Sequence, residues 1–196
     1  MEYNKKTKDI VMEGSKMETF ADYILSEQDL IKKMEIVYYL QKRTGIFYDN
    51  SVILKTEIAK LFIETMKLPV DKNLVLTACL LYACKKSNSA QNLEKIRSYA
   101  KEGAEYLKQL GFSKKFCKIC EEHNRYSESE PREKESDILE LVDQFGGMLM
   151  NRPERIAFKS DEALCLLINR NLKDKNNRYI EQFENFVRIM EEVKVA

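Results

Sequence analysis

The sequence predicts an all-α protein, on three observations. Apolar residues recur at three- and four-residue spacing along most of the 196 positions. No stretch shows the strict alternation of a half-buried strand. Six glycines and three prolines are few for this length, which favours long uninterrupted helices over strands joined by tight turns.

Residues 1–16 are polar and carry both charge signs, which predicts a mobile tail and no signal peptide. A helical extension is expected over 17–45. Phe20, Ile24 and Leu25 share one face there, and Leu30, Ile31, Met34, Val37, Tyr38 and Leu40 form a second run. Gly45, after Thr44, suits a left-handed cap. Ser51 is placed to cap the next helix, whose apolar positions are Ile53, Ile58, Ala59, Phe62, Ile63 and Met66; Pro69 ends it. Asp71 then opens the most continuously apolar segment, Leu74 through Cys84, expected at the centre of the bundle. Leu93, Ile96, Ala100, Ala104 and Leu107 make a further stripe, closed by Gly111. Ser113 caps a short helix carrying Phe116, Cys117, Ile119 and Cys120. Residues 124–136 are polar and predict an exposed loop. Helices resume over 138–150, 160–169 and 179–195.

Composition excludes several classes of function. Lys+Arg is 33 and Asp+Glu is 32, so no basic field exists to hold nucleic acid or an anionic membrane surface. No run approaches the roughly 18 apolar residues of a membrane span. The cysteines (Cys79, Cys84, Cys117, Cys120 and Cys165) are odd in number and lie in apolar helical stretches. That pattern predicts buried, reduced thiols and a cytoplasmic location.

Five fragments stand in a telling order. Leu80-Leu81-Tyr82-Ala83-Cys84-Lys85-Lys86 is followed by Tyr99-Ala100-Lys101-Glu102-Gly103-Ala104-Glu105-Tyr106-Leu107, then by Glu122-His123-Asn124-Arg125-Tyr126. Ile138-Leu139 with Asp143-Gln144-Phe145 leads to Arg152-Pro153-Glu154-Arg155, and Glu162-Ala163-Leu164 closes the series. In this order and spacing, from about Asn50 to Asn171, the chain resembles the HD-GYP phosphodiesterases. Their corresponding runs are Leu-Leu-His-Asp-x-Gly-Lys, His-Pro-x-x-Gly-Ala-x-x-Leu, His-His-Glu-Arg-Tyr and Arg-Pro-Tyr-Arg. The resemblance implies an HD-domain-like helical bundle over 46–196, docked to the extension at 17–45.

It also implies that the family's chemistry is missing. Such hydrolases use two or more metal ions to activate water and neutralise a phosphodiester. The family's histidines and aspartates map onto Asn50, Tyr82, Ala83, Tyr99, Glu122, His123 and Asp143. Only His123 and Asp143 keep the ligand type, with Glu122 a substituted carboxylate. The pair expected to bridge the metals is Tyr82-Ala83. Alanine offers no donor, and a phenol with an ordinary pKa near 10 is a poor ligand at neutral pH. The chain holds one histidine in all. No metal and no cofactor are therefore expected, and His123 and Asp143 should form a hydrogen-bonded pair in a collapsed site.

Two other constellations could carry chemistry. Cys117-x-x-Cys120-x-x-His123 has zinc-like spacing, but on one helix these positions spread over about 240°, and a fourth ligand is missing. Lys86, Arg125, Arg152 and Arg155 match family cations at the mouth of the site and could hold a nucleotide or phosphate; Glu128, Glu130 and Glu154 among them would repel an anion. The aromatic pairs Tyr38-Tyr39 and Phe47-Tyr48, with Tyr179, Phe183 and Phe186, are expected as core seams or, where exposed, as a partner or dimer surface. The expectation is a catalytically inactive regulatory or protein-interaction module in bacterial signalling. The alternatives are a nucleotide or phosphate sensor in the vestigial cleft, and a single-metal phosphohydrolase built on Glu122, His123 and Asp143.

Overall fold

The computed structural model describes residues 19–48, 50–86, 93–123, 132–153, 155–173 and 176–195. The tail expected at 1–16 and most of the loop expected at 124–136 lie outside them. All regular structure among the described residues is helical: α1 (Phe20–Ser26), α2 (Leu30–Thr44), α3 (Asn50–Thr65), α4 (Lys72–Leu81), α5 (Leu93–Gln109), α6 (Lys114–Glu122), α7 (Lys134–Met148), α8 (Ser160–Leu166) and α9 (Ile180–Val195). No described helix is long and apolar enough to cross a membrane.

Most helix boundaries follow from local chemistry. Thr19 accepts from the amide of Asp22, whose carboxylate accepts from the amide of Thr19 in return. Asp29, Asp71 and Ser113 each accept from backbone amides of the first turn that follows. Gly45 ends α2 at φ 66, donating its amide to the carbonyl of Gln41. A side chain at 45 would meet nothing within 4 Å, so the cost of Gly45→Ala is conformational alone. We expect a loss of about 1 kcal/mol in chemical denaturation; an unchanged midpoint would mean that α2 ends elsewhere.

Three boundaries depart from the periodic pattern. Ser51 is the second residue of α3 and not its cap. α7 begins at Lys134, ahead of the apolar run, because Glu135, Ser136, Asp137 and Glu140 are polar yet buried. Their carboxylates are met by Lys115, Arg132 and Arg178, which the helical period cannot register. α8 passes into a π-helical turn over Leu167–Asn171. Cys165 is exposed on α8, against expectation, while Cys79, Cys84, Cys117 and Cys120 are buried.

The centre is α4, as its apolar run predicts: every residue from Val75 to Cys84 is buried. α1, α2, α3, α6 and α7 all pack against it. Phe62 of α3, Phe145 of α7 and Phe183 of α9 join in edge-to-face contacts at 4.9 and 5.2 Å between centroids. These contacts tie the outer helices to the core.

Two lysines interrupt this apolar interior. Lys33 lies between Leu30 and Val37 on the buried face of α2, and Lys55 lies between Val52 and Ala59 on that of α3. Lys33 Nζ donates to the carbonyl of Ile24 and, at 2.9 Å, to Thr77 Oγ1, fixing the end of α1 to α2 and α4. Burial lowers its pKa to about 8 against the attraction of Glu27 and Asp71.

Candidate functional site

The second lysine organises the site. Lys55 extends from the middle of α3 toward α7, where Gly146 makes room for it. A Cβ on Gly146 would come within 2.7 Å of Lys55 Cγ. The ammonium ends 2.7 Å from Asp143 Oδ1 on α7 and donates at 2.9 Å to the hydroxyl of Tyr82, which follows α4. The Tyr82 hydroxyl in turn donates to Asp143 Oδ1. A cation, a phenol and a carboxylate thus close a three-membered ring of charge-assisted contacts.

The ring continues into α5 and α6. Tyr82 packs edge-on against the imidazole of His123, with centroids 4.4 Å apart. His123 Nδ1 lies 2.5 Å from the carbonyl of Cys120, and Nε2 lies 2.9 Å from the hydroxyl of Tyr99. A carbonyl can only accept, so Nδ1 carries the proton and Nε2 accepts from Tyr99. Burial lowers the pKa of His123 to about 4, partly offset by the charge of Asp143. Burial and then Asp143 push the Tyr82 phenol well above its ordinary value. Burial opposes ionisation of Asp143, yet Lys55 and then Lys86 hold its carboxyl well below the usual range. At neutral pH the Lys55–Asp143 ion pair is flanked by the neutral Tyr82 phenol and a neutral imidazole.

His123 and Asp143, expected to be hydrogen-bonded to each other, are brought close but not joined. Tyr82 stands between them. Glu122 is directed elsewhere: its carboxylate accepts from Ser136 Oγ at 2.7 Å and from the amide of Glu133 at 2.8 Å. Ser136 lies two turns before Asp143, about 10 Å along α7. Ala83 is buried without a donor atom, and Asn50 is exposed at the first position of α3.

The four expected cations divide. Lys86 is half-buried, its ammonium 5.7 Å from the centroid of the Tyr99 ring. Arg152 is exposed, with Nη2 over Gly147, where an added Cβ would meet it at 2.9 Å. Arg155, expected at the mouth of a cleft, is turned to the end of α7 instead. It donates to the carbonyls of Gly147 at 2.7 Å and Met148 at 3.1 Å, and stacks on Phe158. A guanidinium at a helix C-terminus satisfies orphan carbonyls and meets the negative end of the dipole. Arg125 lies outside the described residues, as do Glu128, Glu130 and Glu154.

These donors do not fit a multinuclear metal centre. The lone pair of His123 Nε2 receives the Tyr99 proton, and Asp143 Oδ1 receives two donors, one of them a full positive charge. A metal ion would have to displace the Lys55 ammonium from a partly buried carboxylate. Among the described residues no three His, Cys, Asp or Glu side chains converge as ligands, and Cys117, Cys120 and His123 form no such group.

Lys55 is the residue that motif matching passed over. Its signal was present: a lysine at the second position of an otherwise apolar i, i+3, i+7, i+10 face formed by Val52, Lys55, Ala59 and Phe62. Gly146-Gly147 inside a helix was a second cue, since glycine there weakens the helix unless something must approach closely. Compared with models of known protein families, with curated proteins and with solved structures, the chain finds no match.

Proposed function

We propose that this chain is a binding protein on a degenerate HD-GYP-like scaffold, acting as a regulatory or protein-interaction module without phosphodiester turnover. The observation that carries the reading is the Lys55–Asp143 ion pair of 2.7 Å, with Tyr82 bonded to both. The resemblance aligns Asp143 with a metal-holding carboxylate and Tyr82 with a metal-holding imidazole. An internal ammonium beside that carboxylate supplies positive charge without a Lewis acid or an activated water. Tyr82 and Tyr99 fill the volume that imidazoles and ions would occupy. All-helical architecture and a near-zero net charge are in keeping with this reading. A phosphate or nucleotide sensor would rely on Lys86 and Arg152, since Arg155 is engaged with backbone carbonyls.

The test is direct. Purified chain, supplied with Mn²⁺ or Fe²⁺, should hydrolyse neither bis-p-nitrophenyl phosphate nor cyclic dinucleotides above the rate of the metal alone. Elemental analysis should return no stoichiometric transition metal. Metal-dependent turnover that disappears in Asp143→Ala would sink the proposal.

A further inference from the structure

The exposed face of α2 has a pattern that the buried core does not explain. Leu30, Lys33 and Val37 bury one side of this helix. The opposite side presents Ile31, Glu35, Tyr38, Tyr39 and Lys42, all exposed. At 100° per residue, Glu35, Tyr38, Tyr39 and Lys42 fall within an arc of about 100°. Tyr38 and Tyr39 are 45% and 67% exposed, their rings edge-to-face at 5.8 Å. Lys42 Nζ lies 5.2 Å from the centroid of the Tyr38 ring, so the ammonium is already drawn over the aromatic surface. Adjacent exposed tyrosines, with a carboxylate one turn before and an ammonium one turn after, suit a contact surface better than a solvated face.

We infer that this face of α2 binds the same face of a second copy of the chain, antiparallel, about a two-fold axis crossing between Tyr38 and Tyr39. Charge complementarity under symmetry selects this pairing. In such an interface, whatever residue i meets in the second copy, that residue must meet i in return. An axis between 38 and 39 sets Tyr38 against Tyr39 of the second copy. It sets Glu35 against Lys42 of the second copy, and Lys42 against its Glu35. Two ion pairs then bracket four stacked rings. Arg43 faces Met34, so no like charges oppose each other. Moving the axis by half a turn of helix in either direction brings Lys42 opposite Ile31 or Tyr39 and loses both ion pairs. Charge pattern therefore selects one register, as charged flanking positions do in helical coiled coils. A contact of one helix from each copy lies at the small end of stable interfaces, below roughly 800 Å² per partner, so a reversible dimer is expected. This inference rests on the α2 face alone; the metal and turnover assays leave it untouched.

Sedimentation equilibrium on the full chain tests it with five proteins. Wild type should show a concentration-dependent monomer–dimer equilibrium. Glu35→Lys and Lys42→Glu should each weaken dimerisation at least about tenfold, because each sets like charges against one another twice. The double variant Glu35→Lys/Lys42→Glu restores both pairs with exchanged signs and should dimerise close to wild type. Tyr39→Ser should weaken association without altering the circular dichroism spectrum, which separates loss of contact from loss of fold. A wild type monomeric at high concentration overturns the inference, as do single variants that dimerise normally or a double variant that does not recover. Capture of a different protein through Tyr38 and Tyr39 by a monomeric wild type overturns it equally.

Discussion

Lys55→Met should lower the unfolding free energy by about 3–5 kcal/mol, read as a fall in urea midpoint at unchanged slope. The side chains of Lys55 and Asp143 are 2% and 18% exposed, and the ion pair spans 2.7 Å. Removing the ammonium leaves a partly buried, ionised carboxylate with the Tyr82 hydroxyl as its remaining hydrogen-bond donor and only the half-buried Lys86 to balance its charge. A loss of this size is a large share of the 5–15 kcal/mol typical of a domain. Lys55→Met combined with Asp143→Leu and Tyr82→Phe should recover most of it, because replacing a whole buried polar cluster by apolar groups removes the desolvation penalty as well. If the single variant proves as stable as wild type, the ion pair is not formed in solution.

His123 should lend the fold stability that disappears in mild acid. Its pKa is lowered to about 4 in the folded chain by burial, against about 6.5 when unfolded. Between these values the unfolded chain binds the extra proton and the folded chain does not, so stability falls as pH falls. The contribution is fully present above pH 6.5 and lost by about pH 4, amounting to about 3 kcal/mol. Carboxylates titrate in the same window, so the informative quantity is the stability difference between wild type and His123→Gln, which should shrink as the solution is acidified. Because the chain has one histidine, its ring Hε1 gives a single identifiable NMR signal. That signal should stay close to its neutral position down to about pH 5. A midpoint near 6.5 in the folded protein would show that the ring is not enclosed by Tyr82 and Tyr99.

Both results concern residues whose partners are distant in sequence, which divides what could be read from what could not. The caps at Asp71 and Ser113, the left-handed Gly45 and the central apolar run of α4 depend on residues within a turn of one another. Their physics is local. The early start of α7 escaped the pattern because its first turns are polar, and their burial depends on Lys115, Arg132 and Arg178, all outside the helix. Tyr38-Tyr39 and Phe183-Phe186 read alike as aromatic pairs. Only packing against α3 and α7 buries the second, while the first stays exposed.

At the site, motif order brought Tyr82, Tyr99, His123 and Asp143 to attention, and the fold gathers all four. It did not reveal that Lys55, 88 positions before Asp143, completes the cluster. Nor did it reveal that Glu122 faces Ser136, or that Arg155 caps α7. The sequence by itself determined an all-helical chain and a scarcity of imidazole too severe for a histidine-rich metal centre. The tertiary structure alone decided which charge neutralises Asp143. Hydrogen-bond and ion-pair geometry is set within about 3 Å, between side chains carried by different helices, and helical periodicity holds no record of which faces will meet.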